Sequence, residues 1–125
     1  MAVLQGHLYE RLQLDDTCEQ TALIALGANL PFGEASPAET MAAALVQLAA
    51  RLPGRARTSR LFRTPCFPAG AGPDYVNAAA ELTLPPGAEP VDVLAILHGV
   101  EADFGRRRVQ RWGMRTLDID LLSFG

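Results

Sequence analysis

Two carboxylates spaced two residues apart, Asp118 and Asp120, follow a run holding five arginines and no acid: Arg106, Arg107, Arg108, Arg111 and Arg115. Leu117, Ile119 and Leu121 alternate with the acids, which is the pattern of a strand. Successive strand side chains point to opposite faces, so the apolar three face one way and both carboxylates the other. Like charges roughly 7 Å apart on one face repel, and each raises the other's pKa unless a cation sits on them. Guanidinium forks hold polyanions, and a divalent metal can bridge such an anion to paired acids. In an arbitrary strand, alternating acids are simply a solvated face. The neighbouring arginine cluster tips the reading to a nucleotide-phosphate site.

The elements that must position these residues follow from the patterning upstream. Thr21 to Leu26 is a short apolar run bounded by Gly27, the mark of a buried central strand, and Gly27-Ala28-Asn29 is a turn where backbone can approach a ligand. Ser36-Pro37-Ala38-Glu39 is a capping box, and the helix it starts places Met41, Ala44, Leu45, Leu48, Ala49 and Leu52 on one stripe before Pro53-Gly54 ends it. Arg57 to Arg63 is a polar edge strand, and the Pro- and Gly-rich segment from Thr64 to Pro73 is an extended loop. From Tyr75 to Leu84 a strand puts Val76, Ala78, Ala80, Leu82 and Leu84 on one face, with Tyr75, Asn77, Glu81 and Thr83 on the other. A second helix from about Pro90 carries Val93, Ile96, Leu97, Val100 and Phe104 on its stripe. His98 and Glu101 lie beside that stripe, on what reads as a solvated flank.

Strand, helix, strand, strand, helix, strand is the order of a ferredoxin-like βαββαβ sandwich, an α+β fold. It predicts a four-stranded antiparallel sheet with two helices on one face. The apolar strand faces then meet the helices. Tyr75, Asn77, Asp118 and Asp120 gather on the opposite face, near the glycine turn and the arginines.

A chain of 125 residues allows one domain with a core. Net charge is -3, so general nucleic-acid binding is disfavoured, although the arginine run is a local exception. All eleven basic residues are Arg, so clustering carries the information rather than the choice of Arg over Lys. Cys18 and Cys66 form no CxxC pair, and with only His7 and His98 besides they cannot build a zinc site of ordinary spacing. No apolar run is long enough for a membrane span, and the N-terminus lacks the pattern of a secretory signal, so a cytoplasmic protein with reduced thiols is expected. Residues 1–20 read as an N-terminal extension and 21–125 as the folded domain.

The run Gly105-Arg106-x-Arg108, then Arg111-Trp112-Gly113-x-Arg115-Thr116-Leu117-Asp118-x-Asp120, resembles the signature of 6-hydroxymethyl-7,8-dihydropterin pyrophosphokinases, enzymes of folate biosynthesis. Leu26-Gly27-Ala28-Asn29-Leu30 resembles that family's first strand and glycine turn. Arg63-Thr64-Pro65 and Asp74-Tyr75-Val76-Asn77-Ala78 resemble its pterin-pocket segment. The resemblance implies attack of the dihydropterin hydroxymethyl oxygen on the β-phosphorus of ATP, with release of AMP. By the matching positions, it implies that Asp118 and Asp120 hold two Mg2+ ions and that Arg106 and Arg115 stabilise the migrating group. It implies nucleotide contacts from Glu101, Arg108, Arg111 and Trp112. For the pterin it implies hydrogen bonds at Thr64, Pro65 and Asn77, and ring walls from Phe67 and Tyr75. The family pattern continues past the Asp-x-Asp strand with elements that cover the sheet, whereas this sequence ends at Gly125. Met114 replaces a common Pro, and His98 stands where Gln is frequent.

Three readings follow. An active pyrophosphokinase uses ATP and the hydroxymethyl dihydropterin, with self-association as a way to cover the open sheet face. A catalytically weak or inactive relative binds nucleotide or a protein partner without turnover. An RNA-binding module ranks third, because such modules stack bases on central-strand aromatics that the first strand here lacks.

Overall fold

A computed structural model of the protein describes residues 18–105 and 115–125. Its elements are β1 (Gln20–Ala28), α1 (Pro37–Arg51), β2 (Arg55–Thr58), β3 (Phe62–Thr64), β4 (Tyr75–Leu84), α2 (Pro90–Asp103) and β5 (Asp118–Phe124). Every strand pairing is antiparallel: β1 lies between β4 and β5, and β2 and β3 both pair with β4. The expected α+β class is present, with two helices among the described residues. Among the described residues the sheet, however, has five strands where four were expected.

The extra strand comes from a break in the edge predicted over 57–63. Thr58 pairs with Ala80 and Phe62 with Asn77, so four steps on the edge match three on β4. Ser59 fills the gap, since its N–H donates to the Ala79 carbonyl at 2.8 Å and its hydroxyl accepts from the Ala79 N–H at 2.9 Å. A side chain thus replaces one rung of the ladder, which is how a bulge bends an edge strand.

The alternation of β4 is as predicted, with Val76, Ala78, Ala80, Leu82 and Leu84 buried. On β1 only Ala22, Ile24, Leu26 and Ala28 are buried, and Leu23 is 42% exposed. A buried central strand was the expectation. Among the described residues one face of β1 is left uncovered, because both helices pack into a single core cluster with the other face. Helix α1 begins with the predicted capping box: Ser36 Oγ accepts from Glu39 N–H at 3.2 Å and Glu39 Oε1 accepts from Ser36 N–H at 2.8 Å. These bonds satisfy two amides that the helix start leaves without partners. The stripe buries Met41, Ala44 and Leu48, whereas Ala49 is exposed. In α2, Val93, Leu97 and Val100 are buried. No helix among the described residues is long and apolar enough to cross a membrane.

Candidate active site

Register determines which side chains meet on the open face. One row crosses four strands: Phe62 on β3, Asn77 on β4, Gly27 on β1 and Asp118 on β5. The next row places Ala79 and Asp120 on either side of Ala25. Directly opposed residues share a face, so Asn77 on one flank and the two acids on the other look across a floor of Gly and Ala. At ordinary strand spacing the two flanks lie about 10 Å apart. A Cβ on Gly27 would meet Asn77 Oδ1 at 3.2 Å and Tyr75 Cδ1 at 3.7 Å, so glycine keeps the floor clear between them. The result is a cleft of about 310 Å³ lined by Gly27, Thr64, Tyr75, Asn77, Arg115, Asp118 and Asp120 among others.

The acids do not turn into the helix layer. Leu117 and Ile119 are buried beneath them, Asp118 is half-buried and Asp120 is exposed. Arg115 Nη1 stands 3.7 Å from Asp118 Oδ1, an ionic contact longer than a hydrogen bond. On the other flank, Asn77 Nδ2 donates to Thr64 Oγ1 at 2.7 Å, tying β4 to the end of β3. Burial raises the Tyr75 phenol above its usual range, helped by Cys66 and Asp118 and opposed by the Arg115 charge. The phenol therefore stays a neutral donor facing the cleft.

Other predicted residues sit elsewhere. Pro65 and Phe67 do not line the cleft, and the Phe67 ring is 90% exposed. Glu101 is 2% exposed and lies behind β5, where its Oε2 accepts from Ile119 N–H at 2.6 Å. The solvated flank expected around it holds for exposed His98 but not for Glu101. Arg106, Arg108, Arg111 and Trp112 lie outside the described residues.

Sequence reasoning treated Asn29 only as part of a turn. The structure makes it a buried junction, 1% exposed. Its Oδ1 accepts from Arg115 N–H at 2.8 Å, and its Nδ2 donates to the Pro73 carbonyl at 3.2 Å and lies 3.8 Å from Cys66 Sγ. The Arg115 carbonyl in turn accepts from Asn29 N–H and Leu30 N–H at 2.9 and 3.0 Å. Beside this turn Phe32 packs edge-on against Phe104, and a Cβ on Gly105 would come within 2.9 Å of the Phe32 ring. With φ at +82°, Gly105 also has a backbone that other residues rarely adopt. An Asn closing the expected Gly27-Ala28-Asn29 turn was the available signal, but nothing local announces partners so distant in sequence.

The arrangement can hold a flat polar molecule against Asn77 and Tyr75, and an anion or metal–anion complex against Arg115 and the acids. Comparison with known proteins bears on which. The model of the family described as 7,8-dihydro-6-hydroxymethylpterin-pyrophosphokinase (HPPK) matches residues 23–125. A Haemophilus influenzae protein named 2-amino-4-hydroxy-6-hydroxymethyldihydropteridine pyrophosphokinase is 37% identical over 106 residues, covering 84% of this chain and 62% of its own length. A Pseudomonas aeruginosa protein of the same name is 39% identical over 109 residues, 85% of this chain and 62% of its own. One from Pseudomonas putida is 37% identical over 107 residues, 82% of this chain and 81% of its own. The chain therefore spans 62% of the length of the first two relatives.

Proposed function

The chain belongs to the 7,8-dihydro-6-hydroxymethylpterin-pyrophosphokinase family, and from that premise we propose that it transfers pyrophosphate from ATP to 6-hydroxymethyl-7,8-dihydropterin, releasing AMP. The observation that supports this reading best is the row across the open face, with amide and phenol on one flank of Gly27 and paired acids with Arg115 on the other. Counting β2 and β3 as one edge strand broken by the bulge, the sheet reduces to the four-stranded ferredoxin-like sandwich.

On this reading the chemistry rests on placement and charge rather than on a strong base. Asn77 and Tyr75 hold the pterin edge and face, with Thr64 fixing the Asn77 amide. The Pro65 backbone and the Phe67 ring are assigned to the same substrate from the loop that follows β3, outside the cleft lining. Arg115 directs its guanidinium toward Asp118, where the transferred group gathers negative charge. Arg106 shares that role, while Arg108, Arg111 and Trp112 serve the nucleotide and Glu101 acts on it indirectly, by holding β5 and its acids in place. Two carboxylates on one face are the oxygen set that Mg2+ takes when substrate phosphates complete its shell, so Asp118 and Asp120 are the residues that would hold it. Bound there, the ion would supply neutralisation of phosphate charge.

The test is AMP release from ATP with magnesium and the hydroxymethyl dihydropterin. The chain should turn over, and Asp118→Ala should lose about 10²- to 10³-fold in kcat, the usual effect of deleting one electrostatic group at a reacting centre. Magnesium-dependent ATP binding without any AMP release would replace this reading with that of an inactive nucleotide-binding relative.

A further inference from the structure

Asn29 belongs to neither flank of the cleft, yet it touches the supports of both. Its amide oxygen and the two adjacent backbone N–H groups grip the Arg115 peptide from both sides, one bond to the N–H and two to the carbonyl. Its amide nitrogen reaches Pro73 and approaches Cys66, near the two ends of the loop that joins β3 to β4. That loop leaves β3 at Thr64 and enters β4 at Tyr75, both of which line the cleft. Arg115 lines it from the opposite flank. One buried side chain thus spans the backbone of the guanidinium side and the backbone of the ring side.

We propose that Asn29 is a positioning residue for the transfer. Its oxygen fixes Arg115 and its nitrogen fixes the Cys66–Pro73 loop, so the two halves of the cleft keep one spacing. The proposal rests on the pyrophosphokinase reading above. The division of labour within a single amide makes it testable. An amide is acceptor and donor at once, whereas an ionised carboxylate only accepts. Asn29→Asp therefore keeps the acceptor for Arg115 N–H while losing the donor to the Pro73 carbonyl. A protonated carboxyl restores that donor as an O–H. Asn29→Ala removes both.

Steady-state kinetics over a pH range on the full chain and both variants provide the test. Asn29→Ala should lose about 10²-fold in kcat/KM, the scale of a small misplacement in a positioned reaction. Asn29→Asp should keep the KM for ATP within about threefold of the unsubstituted chain, taken as the margin below a tenfold, 1.4 kcal/mol effect. Its KM for the pterin should be raised at high pH and should recover as pH falls through the carboxyl titration. The unsubstituted chain should lack that recovery. A merely structural role would move both KM values together and without this pH dependence, and that result overturns the proposal. So would an Asn29→Ala variant with unchanged kinetics. Should the chain itself show no turnover, the functional reading fails and the positioning role is decided by hydrogen exchange at the Arg115 amide. That amide should be protected in the unsubstituted chain and in Asn29→Asp, and exposed in Asn29→Ala. Equal exchange in all three sinks the inference. Asn29→Asp carries the test alone if the alanine variant does not fold.

Discussion

Replacing Glu101 should cost fold stability as well as activity, and the size follows from where its carboxylate sits. Among the described residues strand β5 pairs with β1 along one edge only, and Ile119, between the two acids, turns its N–H toward α2. Glu101 Oε2 accepts that N–H at 2.6 Å in a site 2% exposed to solvent. A hydrogen bond to a charged group contributes about 1.5–3 kcal/mol, and an amide left buried without a partner costs about as much. Desolvation of the carboxylate offsets part of this gain, so about 2 kcal/mol is the net expectation for Glu101→Ala. For a chain of this size that corresponds to a fall of roughly 6–12 °C in Tm. Glu101→Gln keeps an acceptor oxygen and should lose less than about 1 kcal/mol. Thermal unfolding followed by circular dichroism, with magnesium-dependent ATP affinity measured in parallel, separates two roles. If Glu101 holds β5, Ala loses stability and affinity together while Gln largely retains both. An Ala variant that melts with the unsubstituted chain but binds ATP poorly would refute the strand-holding argument and leave a direct nucleotide contact.

Two further outcomes are expected. Gly27→Ala puts a methyl 3.2 Å from Asn77 Oδ1, so the amide must shift; the KM for the pterin should rise about tenfold, equivalent to about 1.4 kcal/mol, with little change in the KM for ATP. An equal rise in both would show that the floor serves the whole cleft rather than its ring side. Tyr75 is raised by burial above 10.0, so its neutral form is favoured by folding. That contribution is fully present below pH 10 and is lost as pH climbs through the folded-state value. Denaturant unfolding should therefore give Tyr75→Phe a shallower loss of stability above pH 10 than the unsubstituted chain, and parallel curves there would refute it.

Much of the fold could be read in the chain because its signals are local. The capping box at Ser36 and Glu39, the alternation along β4 and the Pro53-Gly54 stop after α1 all act over a few residues, and each stands where patterning put it. Gly27, expected to open a turn, instead lies within β1, because it pairs with Asn77 and Asp118 on either side. The gathering of Tyr75, Asn77, Asp118 and Asp120 on one face followed from period two alone. What escaped depended on contacts that periodicity does not encode. Ser59 breaks the edge strand by using a hydroxyl in place of a backbone rung, and sequence shows only another polar residue on a polar edge. Glu101 falls beside an apolar stripe on the helical wheel, and its bond to the Ile119 N–H of β5 is a contact that the wheel does not show. Asn29 finds partners 44 and 86 residues away, so nothing near it in sequence could reveal the junction.

The cleft is a product of sheet register more than of loops, and this constrains how a transfer could work in it. Among the described residues, helices pack on one side of β1 and no layer meets the other face, where the residues near the acids are small: Gly27 and Ala25. Small residues on the central strand, with larger polar ones on the strands either side, make a trough along β1. A ligand held by Asn77 and one held by Asp118 and Asp120 then approach each other over that trough, about 10 Å apart at their protein contacts. The flanks belong to strands hydrogen-bonded to the same β1, so their spacing varies little. What can vary is the set of parts that hang from the ends of those strands: Arg115 before β5, and the loop before β4. Those are the parts that Asn29 grips, so a buried amide at the end of the central strand is where rigid floor and adjustable rim must be joined.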